Sequence, residues 1–293
     1  MERARSTRLS GLDVTGRRVV GRGVMGLAVM ALGAVMAVGG AGCGSSGTTA
    51  VERDRADVVR GEWEEVGTSV KGRPITAMTV GQGEAWVLVV GGIHGDEREA
   101  QPSVSRLVER LSASDASSAA TWRVIRDLNP DGSAMARRPN ARQVDLNRNF
   151  PARNYERRDR HGPSPLSEPE TAALNRVILA ERPTLIVVFH SSTYGPFVNF
   201  DGPAAEAARA FADGAARVDA RWRLVPEMSY ATPGSLGSYY GVDQGIPVLT
   251  VEFERGQSAY EAWRAIESGF GELAAYLGRE TVAREEGGEE ESK

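Results

Sequence analysis

The chain has 293 residues, 41% hydrophobic and 25% charged, which suits one large globular domain or two small ones and excludes collagen-like, wholly disordered and polytopic membrane folds. Its net charge of −4 is uneven: residues 1–42 hold six Arg against Glu2 and Asp13, so the remainder carries −8, a poor surface for phosphate backbones. Nucleic acid is therefore not an expected partner, and a single cysteine excludes an internal disulfide framework or a Cys-based zinc cage.

Arg-rich residues 1–22 lead into the apolar run Val24 to Val38 and then Gly40-Ala41-Gly42-Cys43. A basic leader, an apolar stretch and small residues are the layout of an export signal over residues 1–42. The small residues before a lone Cys resemble the lipobox of bacterial lipoproteins, in which Cys43 would become the lipidated first residue, although Gly40 stands where Leu is usual. Two alternatives remain open. Residues 24–42 approach the ~20 needed to span a bilayer, weakened by five Gly, and Arg17-Arg18 suggests twin-arginine export. Each alternative puts the body of the chain outside the cytoplasm, at the bacterial cell envelope, lipid-anchored or secreted. Residues 43–61 read as the lipidated Cys and a flexible tether.

Residues 62–279 show no repeat and no break, and are expected to form one α/β domain with a mixed, largely parallel sheet flanked by helices. Val66 to Val80 suggests a hairpin around Lys71-Gly72-Arg73. Four apolar runs follow, Ala85 to Gly91, Trp122 to Leu128, Thr184 to Phe189 and Pro247 to Phe253. Continuous rather than alternating apolarity suits strands covered on both faces. Ser167 and Glu170 have capping-box spacing ahead of a helix whose buried stripe is Leu174, Val177 and Ile178. Trp263, Ile266, Phe270, Leu273 and Leu277 recur three and four apart, as on a helix packed against the sheet. The acidic residues 280–293 are expected to be a disordered tail.

Polar residues collect where these runs end: His94 and Glu97, Asn129-Pro130-Asp131-Gly132, His190, and Glu252. Ligands of open α/β sheets bind at the carboxyl ends of strands. His94 and Glu97, three apart at a strand-to-helix turn, can meet one ion, and a distant His190 would complete a His₂Glu set of the kind that holds catalytic zinc. A surface His near a helix start is the plainer reading of His-x-x-Glu alone, and Asp96 is a competing carboxylate. Other divalent ions would fit the same donors. Glu252, inside an apolar strand, is costly to bury unless it works as a general base and acid on a water. A solvent-facing edge residue or a structural ion pair is its alternative. Arg137-Arg138-Pro139-Asn140 and Asp145 to Pro151 supply donors suited to a substrate carboxylate, with Arg137 and Arg142 read as a solvated basic loop.

Seven stretches in order carry a family resemblance: His94-Gly95-Asp96-Glu97, Asn129 to Gly132, Asp145 to Pro151, Ser167 to Thr171, Phe189 to Ser192, Tyr230 to Ser238, and Thr250 to Glu254. Together, from about Val66 to Phe253, they resemble the zinc carboxypeptidase family, in particular its branch of amidases acting on cell-wall peptides. The resemblance implies one zinc on His94, Glu97 and His190, with Glu252 as catalytic carboxylate and Arg138 polarising the scissile carbonyl. It also implies Asn147 and Arg148 on the substrate's terminal carboxylate, Asp145 orienting His94, and Tyr230 capping the substrate, with Tyr239 and Tyr240 as neighbouring candidates. Gln143 stands where relatives usually have Gly, His161 is expected on a surface loop and not as a ligand, and Leu236 falls where the family builds its specificity pocket.

The implied activity is an exported zinc amidase cutting the bond between γ-D-glutamate and meso-diaminopimelate in murein peptides, membrane-bound through Cys43. The alternatives are a general metallocarboxypeptidase, a deacylase of the aspartoacylase type, against which the Tyr230 to Ser238 stretch argues, and a non-catalytic peptide-binding lipoprotein.

Overall fold

Seven strands form one sheet in the order β1-β2-β4-β3-β5-β7-β6. They are β1 (Glu64–Thr68), β2 (Pro74–Val80), β3 (Ala85–Val90), β4 (Ala120–Ile125), β5 (Leu185–Ser192), β6 (Phe197–Asp201) and β7 (Val248–Glu254). The computed structural model describes residues 61–112 and 116–290, with side chains for all but 116–117 and 284–290. The export signal, Cys43, the tether and residues 291–293 lie outside the described residues. β4, β3, β5 and β7 run parallel, while β1, β2 and β6 pair antiparallel at the two edges. The mixed, largely parallel sheet expected from the sequence is therefore present.

β4 and most of β5 are buried on both faces, which is why their residues read as unbroken apolar runs. On one face pack α1 (Ala100–Ser112), α5 (Ala205–Ala216) and α6 (Ala259–Glu290), whose Val104, Leu107, Phe211 and Phe270 join one core cluster. On the other lie α4 (Pro169–Glu181) and the segment around Leu146, Phe150, Leu236 and Tyr240. Short helices α2 (Ala116–Ala119) and α3 (Pro130–Met135) flank β4. Among the described residues no helix is long and apolar enough to cross a membrane.

Three local expectations are corrected. The capping box at α4 is not formed: Glu168 is the N-cap and makes no side-chain cap bond, Pro169 opens the helix, and Ser167 Oγ donates to Glu168 Oε1 at 2.8 Å. Glu170 instead turns inward, where Val70 N and Asn140 Nδ2 donate to it at 3.0 and 3.1 Å. The acidic segment set apart as a disordered tail continues α6 as far as Glu290, because Ala, Arg and Glu are strong helix formers even without an apolar face. His161 is buried at 8% exposure, its Nδ1 2.7 Å from the carbonyl oxygen of Glu156. The surrounding loop is at the surface, but this ring is tucked beneath it.

Candidate active site

Carboxyl ends of the parallel strands converge on one cleft of about 550 Å³. β3 ends at Val90, and Gly92 at φ +66° turns the chain toward His94. Gly95 lets this turn lie against α3, since a Cβ there would stand 2.0 Å from the backbone carbon of Gly132. Asn129 ties the arrangement together by accepting from Gly132 N at 2.9 Å and donating to the carbonyls of Ile93 and Arg138 at 3.4 and 3.2 Å. Asp131 accepts from Lys71 N at 2.9 Å and pairs with Arg73. The Asn129 to Gly132 stretch is thus scaffold behind the cleft, not part of its wall, which corrects the expectation that all four strand ends deliver chemistry.

His94, Glu97 and His190 are brought together and are 2%, 4% and 4% exposed. Glu97 Oε1 lies 2.8 Å from His94 Nδ1, Glu97 Oε2 lies 2.9 Å from His190 Nδ1, and the two Nδ1 atoms are 3.0 Å apart. One donor atom from each residue falls within 4.8 Å of the others. Two imidazole nitrogens facing each other across a carboxylate share too few protons to satisfy all three, whereas one cation would. Two nitrogens and an oxygen at such separations suit zinc, which binds these atoms at about 2.0–2.2 Å. Asp96 is turned away to Arg255, 3.1 Å from its Nη1, so Glu97 is the carboxylate of the set.

Surrounding groups shift the ionisation of these donors, in Glu97 toward the form that binds a cation and in His94 toward a proton that a bound cation would displace. Burial alone would lower His94, yet the Glu97 and Asp145 carboxylates leave it raised. Burial alone would raise Glu97, yet the two rings hold it well below the usual carboxylate range. Asp145 Oδ1 lies 3.0 Å from His94 Nε2, leaving Nδ1 free for a metal, the arrangement that fixes tautomer and ring orientation. Arg138 bridges this pair, donating from Nε to Asp145 Oδ2 at 3.0 Å and from Nη1 to Glu97 Oε1 at 3.2 Å.

Glu252 is 9% exposed, and no described residue hydrogen-bonds its carboxylate. Burial pushes it up, with Glu97 adding to the effect and His190, His94 and Arg138 opposing it. The edge-strand alternative fails, because β6 covers β7 on its outer side.

The loop from Arg137 to Pro151 is held by Asn140, which donates to Glu168 Oε2 at 2.7 Å, and by Asp145, which caps a 3₁₀ turn over Leu146–Arg148. Gln143 has φ +65°, the left-handed region in which glycine is cheapest. Arg148 donates to the Asn147 carbonyl at 2.6 Å and forms no ion pair among the described residues. Burial, with Arg138 adding to it, lowers its pKa. Asn147 accepts from Leu236 N at 2.9 Å and brings its Nδ2 to 3.3 Å from His190 Nε2. Arg137 and Arg142 are exposed, as expected of a solvated loop.

Of the three tyrosines, Tyr230 lines the cleft at 56% exposure. Burial raises its phenol, Glu252 adds to this, and Arg148 and Arg138 oppose it. Tyr240 is buried and donates to Asn175 Oδ1 at 2.7 Å, with Tyr239 packed against it. Sequence reasoning missed Asn199, Asp201 and Arg255. The first two alternate with apolar residues in Phe197-Val198-Asn199-Phe200-Asp201, a strand signal that was legible.

A family model described as zinc carboxypeptidase matches residues 50–266. The murein peptide amidase A of Escherichia coli (strain K12) is 33% identical over 182 residues, 57% of this chain and 70% of that protein. The murein peptide amidase A of Vibrio campbellii is 32% identical over 183 residues, 56% and 68% of the two chains. Among solved structures, murein-tripeptide amidase from Escherichia coli O157 superposes with a TM-score of 0.54 at 29% identity, covering 77% of this chain and 94% of that one. Carboxypeptidase A from Helicoverpa armigera shares the fold with a TM-score of 0.61 at 19% identity, covering 74% and 69%. With its sheet, its His-Glu-His set fitted to one zinc and a family match over most of its length, this chain belongs to the zinc carboxypeptidase family and is a hydrolytic metallopeptidase or amidase.

Proposed function

We propose that the protein is an exported, lipid-anchored amidase that hydrolyses the bond between γ-D-glutamate and meso-diaminopimelate in murein peptides. Arg148 carries this reading: a partly buried guanidinium without a carboxylate partner, in the same cleft as Glu252 and the metal ligands. Such a group calls for an anionic substrate carboxylate beside the reacting bond. The relatives named murein peptide amidase A support the choice of substrate.

Arg148 and Asn147 anchor the free α-carboxylate of the leaving residue, which places the adjacent amide over His94, Glu97 and His190. Arg138, 3.2 Å from Glu97, extends its remaining N–H groups to the scissile carbonyl and to the negative charge that develops on it. Zinc held by His94, Glu97 and His190 supplies Lewis acidity when bound. Glu252 removes a proton from the attacking water as its oxygen bonds to the carbonyl carbon, then delivers that proton to the amide nitrogen as the carbon–nitrogen bond breaks. Tyr230 covers the bound peptide. The products are a peptide ending in γ-D-glutamate and free diaminopimelate.

Residues 1–42 act as the signal and Cys43 as the lipidated first residue, which puts the cleft outside the cytoplasm, where murein fragments occur.

The test is to supply the purified, zinc-loaded protein with L-Ala-γ-D-Glu-meso-diaminopimelate alongside α-linked peptides. Release of diaminopimelate, lost in Glu252→Gln, is the expected result. Cleavage of α-linked peptides alone would make it a general metallocarboxypeptidase, and binding without turnover a peptide-binding protein.

A further inference from the structure

Arg148 and Asn147 account for one substrate carboxylate, that of the leaving residue. A γ-linked glutamate carries a second on the acyl side of the scissile bond, its α-carboxylate. Four carbon–carbon bonds join that group to the scissile carbonyl carbon, roughly 5 Å when extended. A cleft built for the γ-linked bond therefore needs a carboxylate-binding cation on each side of the metal ligands, and the mechanism above leaves the acyl side without one.

Arg255 stands in that place. It directly follows β7, where its backbone N–H donates at 3.0 Å to the carbonyl of Ser192, a residue lining the cleft. Its Nη1 donates to Asp96 Oδ2 at 3.1 Å, and its Nη2 lies 3.7 Å from Glu97 Oε1. The remaining guanidinium N–H groups meet no acceptor among the described residues, and the side chain is 36% exposed. Asp96 thus fixes the fork from one edge and leaves the rest of it to a ligand. A planar fork of this kind takes a carboxylate through two parallel hydrogen bonds.

The two arginines approach the metal ligands from opposite faces of the sheet. Arg148 sits between Leu146 and Phe150, which pack in the cluster that includes Leu174 and Ile178 of α4. Arg255 lies between Phe253 and the start of α6, whose Ala262 and Ile266 belong to the cluster on the other face. Arg138 Nη1 is 3.2 Å and Arg255 Nη2 is 3.7 Å from the same Glu97 oxygen, so these two nitrogens lie within about 7 Å of each other. A carbonyl held at Arg138 and a carboxylate four bonds further on fit that interval, with hydrogen bonds of about 2.8–3.0 Å at either end.

We infer that Arg255 binds the α-carboxylate of the γ-glutamyl residue, so that the acyl side of the cleft selects a carboxylate four bonds from the scissile carbonyl. The inference rests on the proposed function for the identity of that residue. An α-linked glutamate presents its side-chain carboxylate at the same four-bond distance, which separates the role of Arg255 from the linkage of the substrate.

The test compares the zinc-loaded full chain with Arg255→Gln, and with Arg255→Ala should the first fail to fold. Two substrate pairs differ only in amidation of one carboxylate. The first is L-Ala-γ-D-Glu-meso-diaminopimelate against the same tripeptide amidated at the glutamyl α-carboxylate, and the second is an α-linked peptide with glutamate before its C-terminal lysine against one with glutamine there. Expected is a preference of about ten- to a hundredfold in kcat/KM for the acid, as for a lost charge-assisted hydrogen bond, collapsing toward unity in Arg255→Gln. No preference in the wild type overturns the inference. So does an equal fall on both members of a pair with the preference retained, which would make Arg255 a support for Asp96 and Glu97 only. Turnover of the α-linked pair alone would refute the γ-glutamyl reading while its glutamate-to-glutamine ratio still decides Arg255. If neither pair is cleaved, calorimetric binding of the tripeptide and its amide decides it, with equal or undetectable affinities overturning the inference.

Discussion

His190 and Glu252 are register partners on the adjacent parallel strands β5 and β7. Partners in such a pair stand about 4.8 Å apart with side chains on the same face. One hydrogen-bonded ladder thus places a metal-binding imidazole and the unpartnered carboxylate next to each other, and no loop has to move for them to meet. β6 lies on the far side of β7 and excludes water from the carboxylate's flank, so Glu252 is rigidly placed and partly desolvated together.

Replacing Glu252 with Gln keeps the shape and removes the base. A fall in kcat of about 10²- to 10⁴-fold with little change in KM is expected, with zinc content unchanged by mass spectrometry. In the parent protein kcat/KM should climb with pH through the folded pKa of Glu252, because only the ionised form accepts a proton. Burial acts to raise that limb above the ordinary glutamate value of 4.5, and the charge of a bound zinc ion acts to lower it. Removing a buried unpaired charge should also leave zinc-free Glu252→Gln melting no lower than the parent at pH 7.

Arg148→Ala removes the carboxylate anchor. A charged hydrogen bond contributes about 1.5–3 kcal/mol, so kcat/KM should drop by about ten- to a hundredfold. Substrates with an amidated C-terminus offer nothing to Arg148 and should be hydrolysed equally by both proteins. Steady-state assays on the acid and amide forms of one peptide read this directly.

Asp127 is raised from 3.8 to about 6 by burial, against hydrogen bonds from Ser133 and the backbone of Asn129. The folded state therefore holds this proton more tightly than the unfolded chain. Its stabilisation is complete below about pH 4 and is lost as pH rises through about 6. The difference corresponds to about 3 kcal/mol. Asp127→Asn should be more stable than the parent at pH 7 and closer to it at pH 4.5, as measured by denaturant titration.

Cys43→Ala should abolish the membrane attachment proposed for the N-terminal segment. The parent would partition into detergent and carry an acylated Cys43 in the mass spectrum of its first peptide. Partitioning of the variant with the membrane would instead point to an uncleaved hydrophobic anchor over residues 24–42.

Much of the metal centre was legible in the sequence because its chemistry is local. His94 and Glu97 follow one apolar strand by a fixed short spacing, His190 and Glu252 sit inside two others, and buried strands leave an unmistakable run of apolar residues. Hydrogen bonds of the Arg138 to Asn149 loop were legible only as donors of unspecified aim, since an irregular segment takes its course from contacts such as Asn140 with Glu168. Tyr230 could not be told from Tyr239 and Tyr240 by spacing, because what separates them is which face of a turn meets the core.

By itself the sequence determined the sheet-and-helix class, the candidate donors His94, Glu97 and His190 and the family resemblance, because strand periodicity and motif spacings are properties of neighbouring residues, whereas the choice of Glu97 over Asp96 waited for the fold that turns Asp96 to Arg255. Tertiary structure alone decided that Asn129 and Asp131 support the site from behind, that Glu170 turns inward rather than capping its helix, and that Asp201 faces the cleft. Those outcomes depend on strand order and on the contacts between segments dozens of residues apart, for which the linear chain carries no local signal.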